Sequence, residues 1–310
     1  MREELSRVAA LEPPPHLGTC VDRSGDFDVI ACARCGFRHV LPLPSADELA
    51  HAYQHDYYAV EKPLYLEGTR RDLDWWRLVH GDRLAALEAE LPPARRRLLE
   101  IGSGPGFFLL HARERGWTPL GVEPSQQAAA HTRSLGLDVV EAFFDAGSAA
   151  SLGCFDAVQM TNVLEHVPDP LEVLRLAHER IAPGGLVSVI VPNDYNPFQR
   201  TAREACEQAP WWIAPPHHLN YFDFDSLASA LTRSGFVPLV RSGSFPIDLF
   251  LLMGERYVGD DAIGRRCHEM RMRFEQSLEA SGRGELRRAL YRSLADLGLG
   301  REAWIVARRP

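Results

Sequence analysis

The chain has 310 residues, 45% hydrophobic and 25% charged, which fits one large globular domain with additions and excludes a disordered class. A net charge of −8 argues against general affinity for nucleic acid or anionic membranes. No apolar run reaches the length of a membrane span and the start, M-R-E-E-L, lacks a secretory pattern, so a cytoplasmic protein is expected, with neither nucleic acid nor membrane as partner.

Residues 1–44 predict a small cysteine-containing module. E-P-P-P-H-L-G-T-C reads as irregular chain, and F-D-V-I-A-C-A-R-C-G as a hairpin knuckle on which the thiolates of Cys32 and Cys35 can share one tetrahedral cation. Cys20 is available as a third ligand and His16 or His39 as a fourth. The alternative is a metal-free hairpin with free thiols, because a standard ribbon carries a second C-x-x-C where this chain has only His16-x-x-x-Cys20. Cys154, Cys206 and Cys267 stand apart and take no role.

Residues 45–92 read as an aromatic helical lid. Ser45 and Glu48 have capping-box spacing, and Tyr53, Tyr57, Tyr58, Tyr65, Trp75 and Trp76 follow closely. Most aromatics pack; the functional alternative is that Tyr57 and Tyr58 close over a ligand. A helix from Leu73 to Leu91 turns Leu84, Leu87 and Leu91 to one side, and Pro92-Pro93 marks the start of the main domain, 93–310.

From there strand and helix alternate, the pattern of a doubly wound α/β sheet. R-L-L-E-I ends in G-S-G-P-G, a turn that opens the helix Phe107–Arg115 and whose glycines let a ligand lie against backbone amides. The second strand, T-P-L-G-V, ends at Glu123, 21 residues beyond Gly102, where a carboxylate can accept both hydroxyls of a ribose. D-V-V-E-A-F-F and F-D-A-V-Q-M-T-N predict the third and fourth strands; a helix from Pro170 to Ile181, the turn P-G-G and the strand L-V-S-V-I-V-P-N follow. F-V-P-L-V-R-S-G-S-F and R-E-A-W-I-V-A-R-R predict two more strands around a helical insertion, 246–298. There Cys267, Met270, Phe274 and Leu278, then Leu286, Leu290, Leu294 and Leu297, make stripes expected to pack on the sheet or to form a homodimer face. The 11 arginines and 6 acids of residues 264–310 read as a solvated helical face.

E-I-G-S-G-P-G, then G-V-E-P-S, then F-D-A-V-Q-M-T-N-V-L-E-H-V, then A-P-G-G-L-V-S-V-I-V-P-N is similar to the class I S-adenosylmethionine-dependent methyltransferases. The resemblance implies a Rossmann-like seven-stranded sheet with its last strand antiparallel. It implies S-adenosylmethionine as cofactor, with Gly102, Ser103, Gly104 and Gly106 at its methionine and ribose end and Glu123 on the ribose hydroxyls. Glu100 would orient the turn and the cofactor ammonium, and Asn162 would line the pocket. Where many members carry an adenine-binding acid after the third strand, this chain has Ala142, Phe143 and Phe144, so Phe143 is the candidate adenine contact.

A sulfonium carries an activated methyl group, so the protein has to align an acceptor and, where that acceptor has a proton to lose, remove it. His166 in L-E-H-V, and His217 and His218 in P-P-H-H-L-N-Y-F, are the candidate bases, with Asn220 and Tyr221 as candidate acceptor contacts. The last segment resembles E-H-x-x-Y-F of sugar C-methyltransferases, which also carry an N-terminal zinc module, and occurs in relatives of quinone-biosynthesis O-methyltransferases. The expected activity is methyl transfer to oxygen, nitrogen or carbon of a small molecule. The competing readings are a nicotinamide-dependent oxidoreductase on the same sheet and a catalytically silent, zinc-bearing interaction protein.

Overall fold

A computed structural model describes residues 16–45, 48–49, 54 and 65–310; the expectations for Tyr53, Tyr57 and Tyr58 lie outside them. Three antiparallel strands, β1 (Gly18–Ser24), β2 (Phe27–Cys32) and β3 (Arg38–Leu41), open the chain. Gly18–Cys20, expected as irregular chain, is a strand because its backbone pairs with Ile30–Cys32. The free edge of β3 then takes up β9 (Asn220–Tyr221), about 180 residues later, through Arg38↔Tyr221 and His39↔Asn220. Phe37 packs on Phe222 with ring centroids 4.7 Å apart, and Cys32, Cys35 and Phe37 join the core of the main sheet.

Ser45 and Glu48 form the expected capping box, with the Ser45 amide and hydroxyl donating to Glu48 Oε2 at 2.8 and 2.7 Å. Helices α1 (Tyr65–Arg71) and α2 (Leu73–Glu90) lead into the main sheet. Leu84, Leu87 and Leu91 are buried as expected, each side chain worth about 1.5–3 kcal/mol in removal from water.

The main sheet alternates β4 (Arg97–Ile101), α3 (Phe107–Glu114), β5 (Thr118–Val122), α4 (Gln126–Ser134), β6 (Val139–Val140), α5 (Ala146–Ser151), β7 (Phe155–Thr161), α6 (Pro170–Arg180) and β8 (Ile181–Pro192). Later come α7 (Pro197–Ala205), α8 (Phe224–Arg233), β10 (Val237–Gly243), α9 (Asp248–Leu252), α10 (Asp261–Ala280), α11 (Gly284–Asp296) and β11 (Glu302–Arg308). The strand order is β10-β11-β8-β7-β4-β5-β6, with β4 to β8 parallel and β11 antiparallel between β8 and β10, as expected. The third strand is shorter than the sequence predicts. After Val140 the chain turns away into α5, whose N-terminus Asp145 and Ser148 cap reciprocally.

The helical insertion departs from the first of its two expectations, that its stripes pack on the sheet. Cys267 is buried, but Met270, Phe274, Leu286, Leu290 and Leu297 are exposed, Leu286 to 58% and Leu297 to 67%. The inward faces of α10 and α11 are polar instead: Glu275, Arg287 and Tyr291 are buried, and Arg287 pairs with Asp82 of α2 at 2.5 Å. Arginines expected on a solvated face therefore stand inside. A buried guanidinium needs a counter-charge, and α2 supplies it. Among the described residues no helix is long and apolar enough to cross a membrane.

Candidate active site

The turn after β4 and the end of β5 form one wall of a cleft of about 760 Å³. Gly102, Gly104 and Gly106 have φ of 68°, 52° and 81°, in the left-handed region that glycine enters without steric cost. Glu123, 5% exposed, holds this turn: its Oε2 accepts from the Gly104 amide at 2.7 Å and its Oε1 from the Ser125 amide at 2.9 Å. Each oxygen keeps a lone pair for a further donor. Burial pushes the Glu123 carboxyl up to about 7. Glu100, 4% exposed, has an Oε2 with no hydrogen-bond partner, and burial raises its carboxyl well above the usual range. Ser103 Oγ is likewise buried without a partner. Two acidic side chains lining a cleft with unmet hydrogen-bonding capacity suit a ligand rich in N–H and O–H donors, while the Ser103 hydroxyl packs toward Gly121.

Gly102, Ser103, Gly104, Glu100, Glu123, Phe143 and Asn162 all line this cleft. Gly106 stands behind it at the start of α3, where an added Cβ would lie 2.7 Å from Thr132 Oγ1; it lets α3 pack on α4. Asn162 at the tip of β7 has φ of 53°, a strained conformation for a residue with a side chain. Asp145, which no motif marks, lies just past the diphenylalanine and lines the cleft with Phe143.

The histidines divide. His166 lines the cleft, whereas His217 and His218 line neither cavity described here. His166 Nδ1 is 2.8 Å from the His217 carbonyl, which can only accept, so Nδ1 carries the proton and Nε2 is the basic nitrogen. The His218 ring packs edge-on against His166, centroids 4.9 Å apart, and Glu165 Oε1 lies 3.8 Å from His166 Nε2. Burial raises the Glu165 carboxyl well above its usual range.

Asn220 and Tyr221 are structural, contrary to expectation. Asn220 Nδ2 donates to the carbonyls of Leu164 and Val167 at 2.9 and 2.7 Å, tying β9 to the turn that carries His166. Tyr221 is buried and its hydroxyl donates to the His218 carbonyl at 3.0 Å.

A second cavity of about 270 Å³ opens between α2, the ends of β8 and β10, and the inward faces of α10 and α11. It meets the cleft at Trp76, Arg83, Asn162 and Glu302, which line both. Arg83 is buried beneath the junction, 3.5 Å from Thr161 Oγ1 and 3.9 Å from Glu302. No motif marks Arg83 or Glu302; they are brought together from opposite ends of the chain.

In the N-terminal module, ligand atoms of His16, Cys32, Cys35 and His39 lie within 4.8 Å of one another. His16 Nδ1 is 3.6 Å from Cys32 Sγ and 3.3 Å from Cys35 Sγ, while His39 Nε2 is buried without a partner. Cys20, expected as a ligand, is exposed and its thiol points to the Asp22 carbonyl at 3.3 Å; alternation along β1 carries it away and His39 takes its place.

An antiparallel strand inserted into this sheet order, with a glycine turn held by a buried acid at the next strand end, is the architecture of a class I methyltransferase. Comparisons with known proteins agree. Residues 70–240 match the family model described as "Methyltransferase domain". The chain is 30% identical over 190 residues to the ubiquinone biosynthesis O-methyltransferase of Ruegeria pomeroyi, covering 59% of this chain and 76% of that protein. It is 34% identical over 128 residues to the protein of that name from a Caulobacter species, covering 39% of this chain and 51% of the relative. A chain in the complex of the Haloferax volcanii Trm112 methyltransferase activator with a methyltransferase shares the fold, with a TM-score of 0.51 at 15% identity over 83% of this chain and 98% of that one. The chain belongs to the S-adenosylmethionine-dependent methyltransferases.

Proposed function

We propose that this enzyme methylates a small molecule whose nucleophilic atom is presented where the two cavities meet, at Asn162. Bound S-adenosylmethionine would supply an activated methyl group. The unpartnered Glu100 Oε2, the second lone pairs of Glu123 and the Cβ-free turn fit its ammonium, ribose hydroxyls and methionine backbone in turn. Phe143 and Asp145 suit the ring and amino group of adenine. Asn162 and Arg83 orient the acceptor and keep it in line, and His166 Nε2 takes its proton; His218 packs on the His166 ring and positions it. The names of the relatives favour oxygen as the nucleophile. The continuity of the cavities at Asn162 carries this reading, since a methyl donor and an acceptor need one shared wall. Methyl-labelled S-adenosylmethionine incubated with a panel of phenols, amines and enolisable ketones tests it. The expected result is label transfer that His166→Ala lowers by about 10²–10⁴-fold in kcat, with S-adenosylhomocysteine binding retained. Full kcat in the variant would refute the base assignment.

We further infer a structural zinc ion in the N-terminal module, held by His16, Cys32, Cys35 and His39. Tetrahedral zinc with ordinary Zn–S and Zn–N bonds sets sulfur and nitrogen ligands about 3.6 Å apart, and the distances from His16 to the two thiols are 3.6 and 3.3 Å. Such an ion would lock the β2–β3 knuckle under β9, and so under the turn carrying His166. Metal analysis of the purified protein should give one zinc per chain, reduced in Cys35→Ser and unchanged in Cys20→Ser.

A further inference from the structure

We propose that the second cavity selects an acidic acceptor: a single-ring molecule carrying a carboxylate or phosphate, gripped by Arg271 and Arg301. This deepens the methyltransferase reading and rests on it for the direction of the acceptor, its nucleophile toward Asn162 and its anionic group toward the far wall.

Five arginines, 83, 271, 287, 288 and 301, face three acids, Asp82, Glu275 and Glu302, around this cavity. The acids are committed. Asp82 receives Arg287 at 2.5 Å and Arg288 at 3.2 Å. Both oxygens of Glu275 are taken, by Trp75 Nε1 and by the Tyr291 hydroxyl. Glu302 faces Arg83. Arg271 and Arg301 are left over. The Arg271 guanidinium lies over the Trp75 ring, 4.4 Å from its centroid, with Nε buried and unbonded. Arg301 has Nη1 buried without a partner.

Other charges face Arg301. Asp194, Asp248, Tyr257 and Glu302 act on it through space, the first three from outside the cavity wall, and this field keeps the guanidinium charged. Asp248 is already bonded to Asn196 Nδ2 at 3.2 Å and Tyr257 at 3.4 Å, and burial pushes Asp194 up to about 7. Neither acid is hydrogen-bonded to Arg301 Nη1, which stays buried without a partner. A guanidinium fork with unmet donors at a cavity wall is the usual receptor for a carboxylate or phosphate. Trp75, Trp76 and Trp304 supply flat walls for a ring, and a volume of about 270 Å³ suits one ring rather than two. Expectation from sequence put these arginines in solvent; a merely solvated face would not hold unbonded, buried N–H groups.

The test uses the full chain saturated with S-adenosylhomocysteine and three probes in titration calorimetry: benzoate, phenyl phosphate and the neutral benzamide. At least one acid should bind ten or more times more tightly than benzamide, and whichever binds tells carboxylate from phosphate. Arg271→Gln and Arg301→Gln should each weaken that acid tenfold or more while leaving benzamide and S-adenosylhomocysteine affinity unchanged. Loss of Arg301 can unbalance its neighbouring acids and unfold the chain, so Arg271→Gln, together with a fall in acid affinity with added salt, stands as the independent readout. Benzamide binding as tightly as both acids, acid affinity unchanged in a folded Arg271→Gln, or no acid binding below about 10 mM overturns the proposal. If the acids bind but S-adenosylhomocysteine does not, the methyltransferase assignment fails and the anion site stands.

Discussion

Replacing Glu123 by Gln tests the cofactor seat at its most informative atom pair. The carboxylate accepts from Gly104 and Ser125 and would accept both ribose hydroxyls. The amide is nearly isosteric but has one acceptor oxygen, so it loses one charge-assisted bond to the ribose and weakens the other. Hydrogen bonds to charged groups contribute about 1.5–3 kcal/mol each, so binding should weaken by about 2–4 kcal/mol, or about 30- to 1,000-fold. Fold stability should change far less. One backbone N–H loses its acceptor at about 1–3 kcal/mol, but the variant also escapes the cost of ionising a buried carboxyl raised from 4.5 to about 7, which is about 3 kcal/mol above neutral pH. Calorimetric titration with S-adenosylhomocysteine at pH 8, beside thermal melting of both proteins, separates the two quantities. The pH dependence adds a second check. The ribose prefers the ionised carboxylate, so wild-type affinity should be full above about pH 7 and fall as pH drops below it, and the variant should lack that one-proton contribution. Affinity within threefold of wild type, or an identical pH slope in both proteins, would refute the ribose assignment.

Buried histidines make a second prediction. His80 and His111 face each other Nδ1 to Nδ1 at 2.8 Å, an arrangement that needs one donor and one acceptor and so at least one neutral ring, and burial, which lowers both, favours the neutral form of each. The unfolded chain takes up protons near pH 6.5 that the folded pair resists, so stability from this pair is present above that pH and is lost as pH falls below it, by at most about 1.4 kcal/mol per pH unit for each ring. Glu100, Glu165 and Asp194, raised by burial, pull the opposite way as pH falls, so the readout is a difference. The urea midpoint of His111→Asn should depend less on pH between 7.5 and 5.5 than that of wild type; equal dependence would contradict the pairing. Gly106→Ala should cost about 2–4 kcal/mol, because φ is 81° and the new methyl meets Thr132 Oγ1 at 2.7 Å. Thr132→Ala in the same chain should recover part of that loss in chemical denaturation, and strict additivity would show that the clash is not the cause. Asn220→Ala should lower kcat without touching an acceptor, since it frees the Leu164–Val167 turn; an unchanged kcat with normal folding would show that His166 is positioned by other contacts.

The elements of the main sheet were legible because each announces itself locally. Leu98, Leu99 and Ile101 form an apolar run before glycines, and Glu123 follows the second strand at a telling distance. The glycine turn and Glu123, proposed to seat the cofactor, were brought to one cleft for the same reason, because they sit on two consecutive strand ends whose order the alternation of strand and helix dictates. Elsewhere local pattern misled. The stripes of α10 and α11 have helical period, but period names a face without saying which way it points, and pairing with Asp82 and Trp75 turned the polar face inward. Cys20 was expected as a third ligand with His16 or His39 as a fourth, and the strand register instead gathered both histidines around Cys32 and Cys35 and left Cys20 apart. Asn220 and Tyr221 read as site residues because they neighbour histidines in sequence, yet adding β9 to β3 buried them. From sequence alone came the sheet and the methyl donor, both set by short-range signals. The acceptor site required Arg83, Arg271 and Arg301 to converge from three separate segments, and only packing brings such distant charges together.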